Sequence, residues 1–124
     1  MTLQFMNKRF PYITQKTRFD CGTTCLLMIA KYHGIVLSYN RFQGNHREES
    51  SGVSLLRLAE LAERSGFHTN GCMISVEYLK ENNIAPMILH WRKSHFVILY
   101  KVRRKRSGYL YYIADPARVM QKLS

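Results

Sequence analysis

The hydrophobic spacing of this chain changes once, and that change limits it to a few architectures. Up to about residue 85 the apolar positions recur mostly at helical intervals. From Pro86 onward they form three short runs, Met87–Trp91, His95–Val102 and Tyr109–Ala114, rich in β-branched and aromatic residues. Arg92-Lys93-Ser94 joins the first two runs, and Arg104 to Gly108, with its Ser-Gly turn signal, joins the second to the third. Connections that short favour antiparallel neighbours. Helices followed by a meander make an α+β fold, with N-terminal helices packed against a C-terminal antiparallel sheet. At 124 residues there is room for one core, so residues 1–124 are read as a single domain.

Within the helical part, Cys21 to Tyr32 is the strongest segment. Asp20 is placed to cap it and Gly34 to stop it. Its apolar positions run most of the way round, which predicts a buried, central helix. A short second helix is expected after Ser38, fading at Gly44, and Asn45 to Gly52 reads as loop. Ser54 caps a third helix, Leu55–Arg64, with Leu55, Leu58, Leu61 and Ala62 on one face and Gly66 at its end. Phe67 to Ile74 suits a short strand. Ser75 then caps a small helix reaching about Glu81, ended by Asn82-Asn83.

Three cysteines, an odd number with no framework spacing, fit a reducing compartment. Cys21 and Cys25 lie one helical turn apart on one face, poorly disposed for a disulfide, and no second pair completes a zinc site. Cys25 and Cys72 read as small core residues. Cys21 differs, because it stands in the first helical turn. Unpaired N–H groups and the dipole there favour a thiolate.

A nucleophilic thiolate needs a base, and the base needs an orienting group. Of five histidines, His33 ends the first helix and His46 and His68 lie among polar residues. His90 sits inside an apolar run and reads as a core histidine. His95 opens a strongly apolar strand, where a side chain stands at a cleft mouth on a rigid support. The chain holds two aspartates. Asp20 is committed to the helix cap, whereas Asp115 ends the strand antiparallel to the one His95 begins. Topology therefore makes His95 and Asp115 neighbours. Gln15, six residues before Cys21, is placed to donate an amide N–H to a developing oxyanion together with the Cys21 backbone N–H.

Gln15-x5-Cys21-Gly22, the helix toward Tyr32-x-Gly34, Gly52-Val53-Ser54-Leu55, His95-Phe96-Val97-Ile98-Leu99 and Asp115-Pro116-Ala117 together resemble the C39 family of papain-like cysteine peptidases. The resemblance covers nearly the whole chain from Gln15. It implies a papain-like fold with Cys21 as nucleophile, His95 as general base and acid, Asp115 as orienting acid and Gln15 in the oxyanion hole. No cofactor and no metal are implied. The family's substrate is the leader peptide of a secreted bacteriocin or similar peptide, cut after a Gly-Gly motif. Its partners are the transmembrane and ATPase domains of an ABC transporter, fused or separate, on the cytoplasmic side of the bacterial inner membrane. The alternative is a domain that binds leaders without cutting them. The leader is expected to dock as an amphipathic helix in a hydrophobic groove around the third helix and the sheet.

No Gly-x4-Gly-Lys-Ser/Thr phosphate loop occurs, so the chain reads as a peptidase domain alone. Nineteen Lys and Arg against eight Asp and Glu leave a net charge of +11. Such a surface attracts polyanions. Most aromatics lie in apolar runs rather than between basic residues, which argues against nucleic acid. An anionic membrane surface is the partner expected instead, while a merely solubilising basic face is the plainer account.

Overall fold

The structure, a computed structural model, describes residues 9–39, 52–91, 95–118 and 120–123. The short helix expected after Ser38, most of the Asn45–Gly52 loop and the Arg92-Lys93-Ser94 connection lie outside them.

Helix α1 spans Cys21–Tyr32, and nine of its first ten residues are buried. One face packs on the sheet and another meets helix α2 (Leu55–Arg64), which explains the nearly continuous apolar character. Both helices end alike. The N–H of Ile35 reaches Ala30 O at 2.8 Å and that of Gly34 reaches Lys31 O at 3.1 Å, with Gly34 at φ 77°. After α2, Phe67 N bonds Ala62 O and Gly66 N bonds Glu63 O, with Gly66 at φ 100°. This is the Schellman arrangement, in which a left-handed residue satisfies the last carbonyls.

At the start of α1 the expectation fails. The Asp20 side chain makes no capping bond. Its Oδ2 accepts instead from Thr17 N at 3.1 Å and from the Tyr39 hydroxyl. Tertiary partners outcompete the local cap, and the first turn is held through the main chain by Thr24 N to Asp20 O at 2.9 Å.

Ser54 does cap α2, its Oγ accepting from Arg57 N at 3.0 Å. Leu58 and Ala62 are buried beneath it, but Leu55, at the first helical position, is exposed. Helix α3, Val76–Glu81, follows the Ser75 cap, whose Oγ accepts from Tyr78 N. The strand expected over Phe67–Ile74 does not form. The four strands described pair only with one another, and Cys72 and Met73 point into solvent. Cys72 is thus exposed rather than part of the core.

Strands β1 (Met87–Trp91), β2 (His95–Lys105), β3 (Gly108–Ala114) and β4 (Met120–Leu123) form one antiparallel sheet in sequence order. β2 runs three residues past its expected end because Arg103, Arg104 and Lys105 pair with Leu110, Tyr109 and Gly108. β4 was not expected. Within β2, Phe96 and Ile98 join the α1 core, while Val97 and Leu99 join a second cluster with Ile113. Burial on both faces is why this stretch lacks polar alternation.

Gly22 sets how closely α1 approaches. A Cβ there would lie 2.6 Å from Val53 Cγ2 and 3.2 Å from the Phe96 ring. Phe10 anchors the N-terminal segment, its ring stacked between Tyr32 and Tyr100.

Candidate active site

Cys21, His95 and Asp115 each stand at the end of a packed element, and Gln15 lies on the segment that precedes the first helix. Cys21 begins α1, buried at 6% exposure. No side chain caps that helix start, so first-turn N–H groups and the dipole act on whatever lies there. The contact of Gly22 with Phe96 brings the start of α1 to the start of β2, and the residues just before this pair are Cys21 and His95.

His95 and Asp115 meet as the meander requires. The β2–β3 register matches Ile98 to Ala114, which carries Asp115 level with Val97 and one diagonal step from His95. His95 Nε2 lies 2.8 Å from Asp115 Oδ1. That contact engages one ring nitrogen and leaves Nδ1 on the other edge. The His95 side chain is 30% exposed and that of Asp115 12%, so the imidazole reaches solvent while the carboxylate is sheltered. Asp115 Oδ1 also accepts from Ala117 N at 2.9 Å, which fixes its orientation.

Gln15 lies on the segment that leads into this corner. Its main-chain N–H donates to Pro116 O at 2.9 Å, joining it to the residue after the acid. Its Nε2 donates to Thr17 O at 2.8 Å, and Asp20 N donates to the same carbonyl at 3.2 Å. The amide is therefore tied to the loop that delivers Cys21. One Nε2 hydrogen is spent on Thr17, and an amide nitrogen carries two. Gln15 Oε1 is buried without a hydrogen-bond partner.

Around this corner, burial pushes the Cys25 thiol well above its ordinary range, and Cys21 and Asp115 push it further. Cys25 is thus a neutral core thiol beneath the site, near enough to feel both groups. Among the described residues no cluster of three His, Cys, Asp or Glu could hold a metal ion. His90 is not a core residue; its exposed ring stacks on Phe96 at 4.4 Å. His68 is exposed beside Glu63. Tyr12 was missed: its hydroxyl lies 2.5 Å from Asp115 O and 2.7 Å from Arg118 O. Nothing in Pro11-Tyr12-Ile13 signals that contact, which joins residues more than a hundred positions apart.

A concavity of about 860 Å³ lies beside α3 and the far halves of β2 and β3, not beside α2. Tyr32, Tyr100 and Tyr109 supply apolar wall, and Lys80, Lys101 and Arg104 supply positive charge.

The family model of the Peptidase C39 family matches residues 9–124. The chain is 32% identical over 117 residues to a colicin V secretion/processing ATP-binding protein of Escherichia coli, covering 94% of this chain and 16% of that one. It is 30% identical over 111 residues to a lactococcin-G-processing and transport ATP-binding protein of Lactococcus lactis subsp. lactis, covering 86% and 15%. The chain thus spans about a sixth of the length of these relatives. Its fold matches, with a TM-score of 0.81 and 27% identity, the crystal structure of a double glycine motif protease from an AMS/PCAT transporter in complex with the leader peptide. That match covers 93% of this chain and 79% of the other.

Proposed function

This chain belongs to the peptidase C39 family, and on that premise we propose that it is a cysteine endopeptidase that cuts a leader peptide after a Gly-Gly motif. The observation that carries this reading is the 2.8 Å contact of His95 Nε2 with Asp115 Oδ1 beside the helix start that bears Cys21. The named functions of the relatives, secretion and processing, agree with it, as does the leader peptide bound to the structural neighbour.

The Cys21 thiolate attacks the carbonyl carbon of the second glycine, and the C=O π pair moves onto oxygen. The first-turn N–H of Cys21 and the second Nε2 hydrogen of Gln15 hold that oxyanion. His95, protonated on Nδ1 and steadied by Asp115 at Nε2, gives its proton to the departing amine as the C–N bond breaks. A thioester remains. Water then loses a proton to His95 and attacks it, and the thiolate leaves. A narrow approach to the sulfur that excludes any Cβ accounts for a two-glycine requirement.

Upstream residues of the leader dock in the concavity beside α3. Tyr100 is five residues along β2 from His95, about 17 Å at a strand's rise, and a helix of about a dozen residues spans that length. Its apolar face meets the tyrosines, and the lysines and arginine favour a leader with acidic residues. The whole protein works with the transmembrane and ATPase parts of an exporter at the cytoplasmic side of a membrane, and the +11 charge favours an anionic lipid surface there. Among the described residues no helix is long and apolar enough to cross a membrane.

The test is incubation of the chain with a synthetic leader–Gly-Gly–cargo peptide, read by mass spectrometry. Wild type should release a leader ending in glycine, and Cys21→Ala should release none while keeping its circular dichroism. Cleavage by the Cys21→Ala protein, or its absence from wild type, overturns the reading. Binding without product identifies a leader-holding domain instead.

A further inference from the structure

The segment 9–15 touches the turn that carries Asp115 at more than one point. Gln15 N donates to Pro116 O at 2.9 Å, and the Tyr12 hydroxyl faces Asp115 O at 2.5 Å and Arg118 O at 2.7 Å. A hydroxyl carries one hydrogen, so the two carbonyls share it. They converge on it from the two ends of a single four-residue turn. That turn is closed internally by Arg118 N to Asp115 O at 3.1 Å and by Ala117 N to Asp115 Oδ1 at 2.9 Å. Burial, helped by the Asp115 carboxylate, outweighs the opposing hydrogen bond with the Thr14 side chain and makes Tyr12 less acidic than an ordinary phenol, so the group stays a donor. Its ring packs against the α1 core, which fixes where the oxygen sits.

We propose that Tyr12 is a positioning residue for Asp115: by pinning both ends of the Asp115–Arg118 turn it keeps the carboxylate in line with His95 Nε2. Because Gln15 lies three residues further along the same strap, the orienting acid and the oxyanion donor are set as one unit. The inference rests on the peptidase reading above. Tyr12 touches no reacting atom; it acts through the backbone that carries Asp115. A drift of the turn by about 1 Å would take the 2.8 Å contact out of hydrogen-bond range, and misplacements of that size cost catalysis heavily.

The discriminating variant is Tyr12→Phe, which removes the hydroxyl and keeps the ring. Cleavage of the Gly-Gly peptide is measured as kcat and KM. Alkylation by iodoacetamide without substrate is resolved by mass spectrometry at Cys21, with exposed Cys72 as internal reference. Both are read below the melting transition, on folded protein. We expect kcat to fall about tenfold with KM within twofold, and Cys21 to alkylate more slowly at neutral pH while Cys72 is unchanged. An unchanged kcat, a change confined to KM, or a loss equal to the fraction unfolded overturns the proposal. If wild type itself does not cleave, the peptidase reading fails instead. The alkylation then decides alone: a selective slowing at Cys21 supports the positioning role, and equal rates overturn it.

Discussion

His95 and Asp115 are twenty residues apart in sequence and 2.8 Å apart in space, and nothing but strand topology is needed to bring them together. The roles proposed for them separate by substitution. His95→Ala should lower kcat by about 10²- to 10⁴-fold, the range of general acid–base catalysis, with circular dichroism unchanged. Asp115→Asn retains an oxygen that accepts from His95 and from Ala117 N, so it should lose about tenfold less activity than Asp115→Ala in the same cleavage assay. Gly22→Ala is a different kind of change, because its new methyl would stand 2.6 Å from Val53 Cγ2 and 3.2 Å from Phe96. Overpacking of that kind costs about 1–3 kcal/mol, to be read as a lower urea midpoint, and it should spread the Cys21 and His95 ends apart. Strand order makes the His95–Asp115 contact legible in the sequence, whereas the catalytic roles of Cys21, His95, Asp115 and Gln15 are proposals. The Tyr12 contact is not legible there, since a lone tyrosine carries no mark of the carbonyls it will meet.

Helices α1 and α2 stop where left-handed glycines, Gly34 and Gly66, let their last carbonyls be satisfied. Gly66, at φ 100°, has open space where a Cβ would go, so Gly66→Ala tests backbone strain without a clash. A loss of about 1–2 kcal/mol in urea unfolding is expected. Buried Cys25 on α1 supplies a pH signature. Below its ordinary value of 9.0 the thiol keeps its proton in folded and unfolded chains alike. Above 9.0 the unfolded chain releases a proton that the folded chain holds, so stability falls as pH rises. Tyr12 and Tyr100, both raised from 10.0 chiefly by burial, steepen the fall above that value. Cys25→Ala should flatten the slope between pH 9 and 10 in a melting series, although its small cavity lowers stability at neutral pH. Three strands and three helix caps were predicted, and the Ser54 and Ser75 caps form. The Asp20 cap does not, because Thr17 and Tyr39 compete for that carboxylate. β4 leaves no mark in the sequence because its four residues, including Gln121 and Lys122, carry too little apolar pattern.

At the scale of the molecule, the net charge of +11 has a structural outlet in the β2–β3 hairpin, where Arg103, Arg104, Lys105 and Arg106 are all exposed. Co-sedimentation with vesicles containing phosphatidylserine should be strong at low salt and weaken severalfold toward physiological ionic strength, with little binding to neutral vesicles. Replacing Arg103, Lys105 and Arg106, which do not line the docking concavity, by glutamine should remove most of the vesicle binding and leave peptide cleavage measurable. Composition, the change of hydrophobic period and the cap residues were enough to determine an α+β chain with a buried first helix, a meander and an acid–histidine pair, because each depends on neighbours close in sequence or on the order of strands. Tertiary structure alone decided where Asp20 points, that Phe67–Ile74 stays out of the sheet, how near Gly22 lets helix and sheet approach, and that Tyr12 clasps the turn after β3. Those outcomes turn on competition among groups brought together only by folding, and a local pattern carries no record of which partner wins.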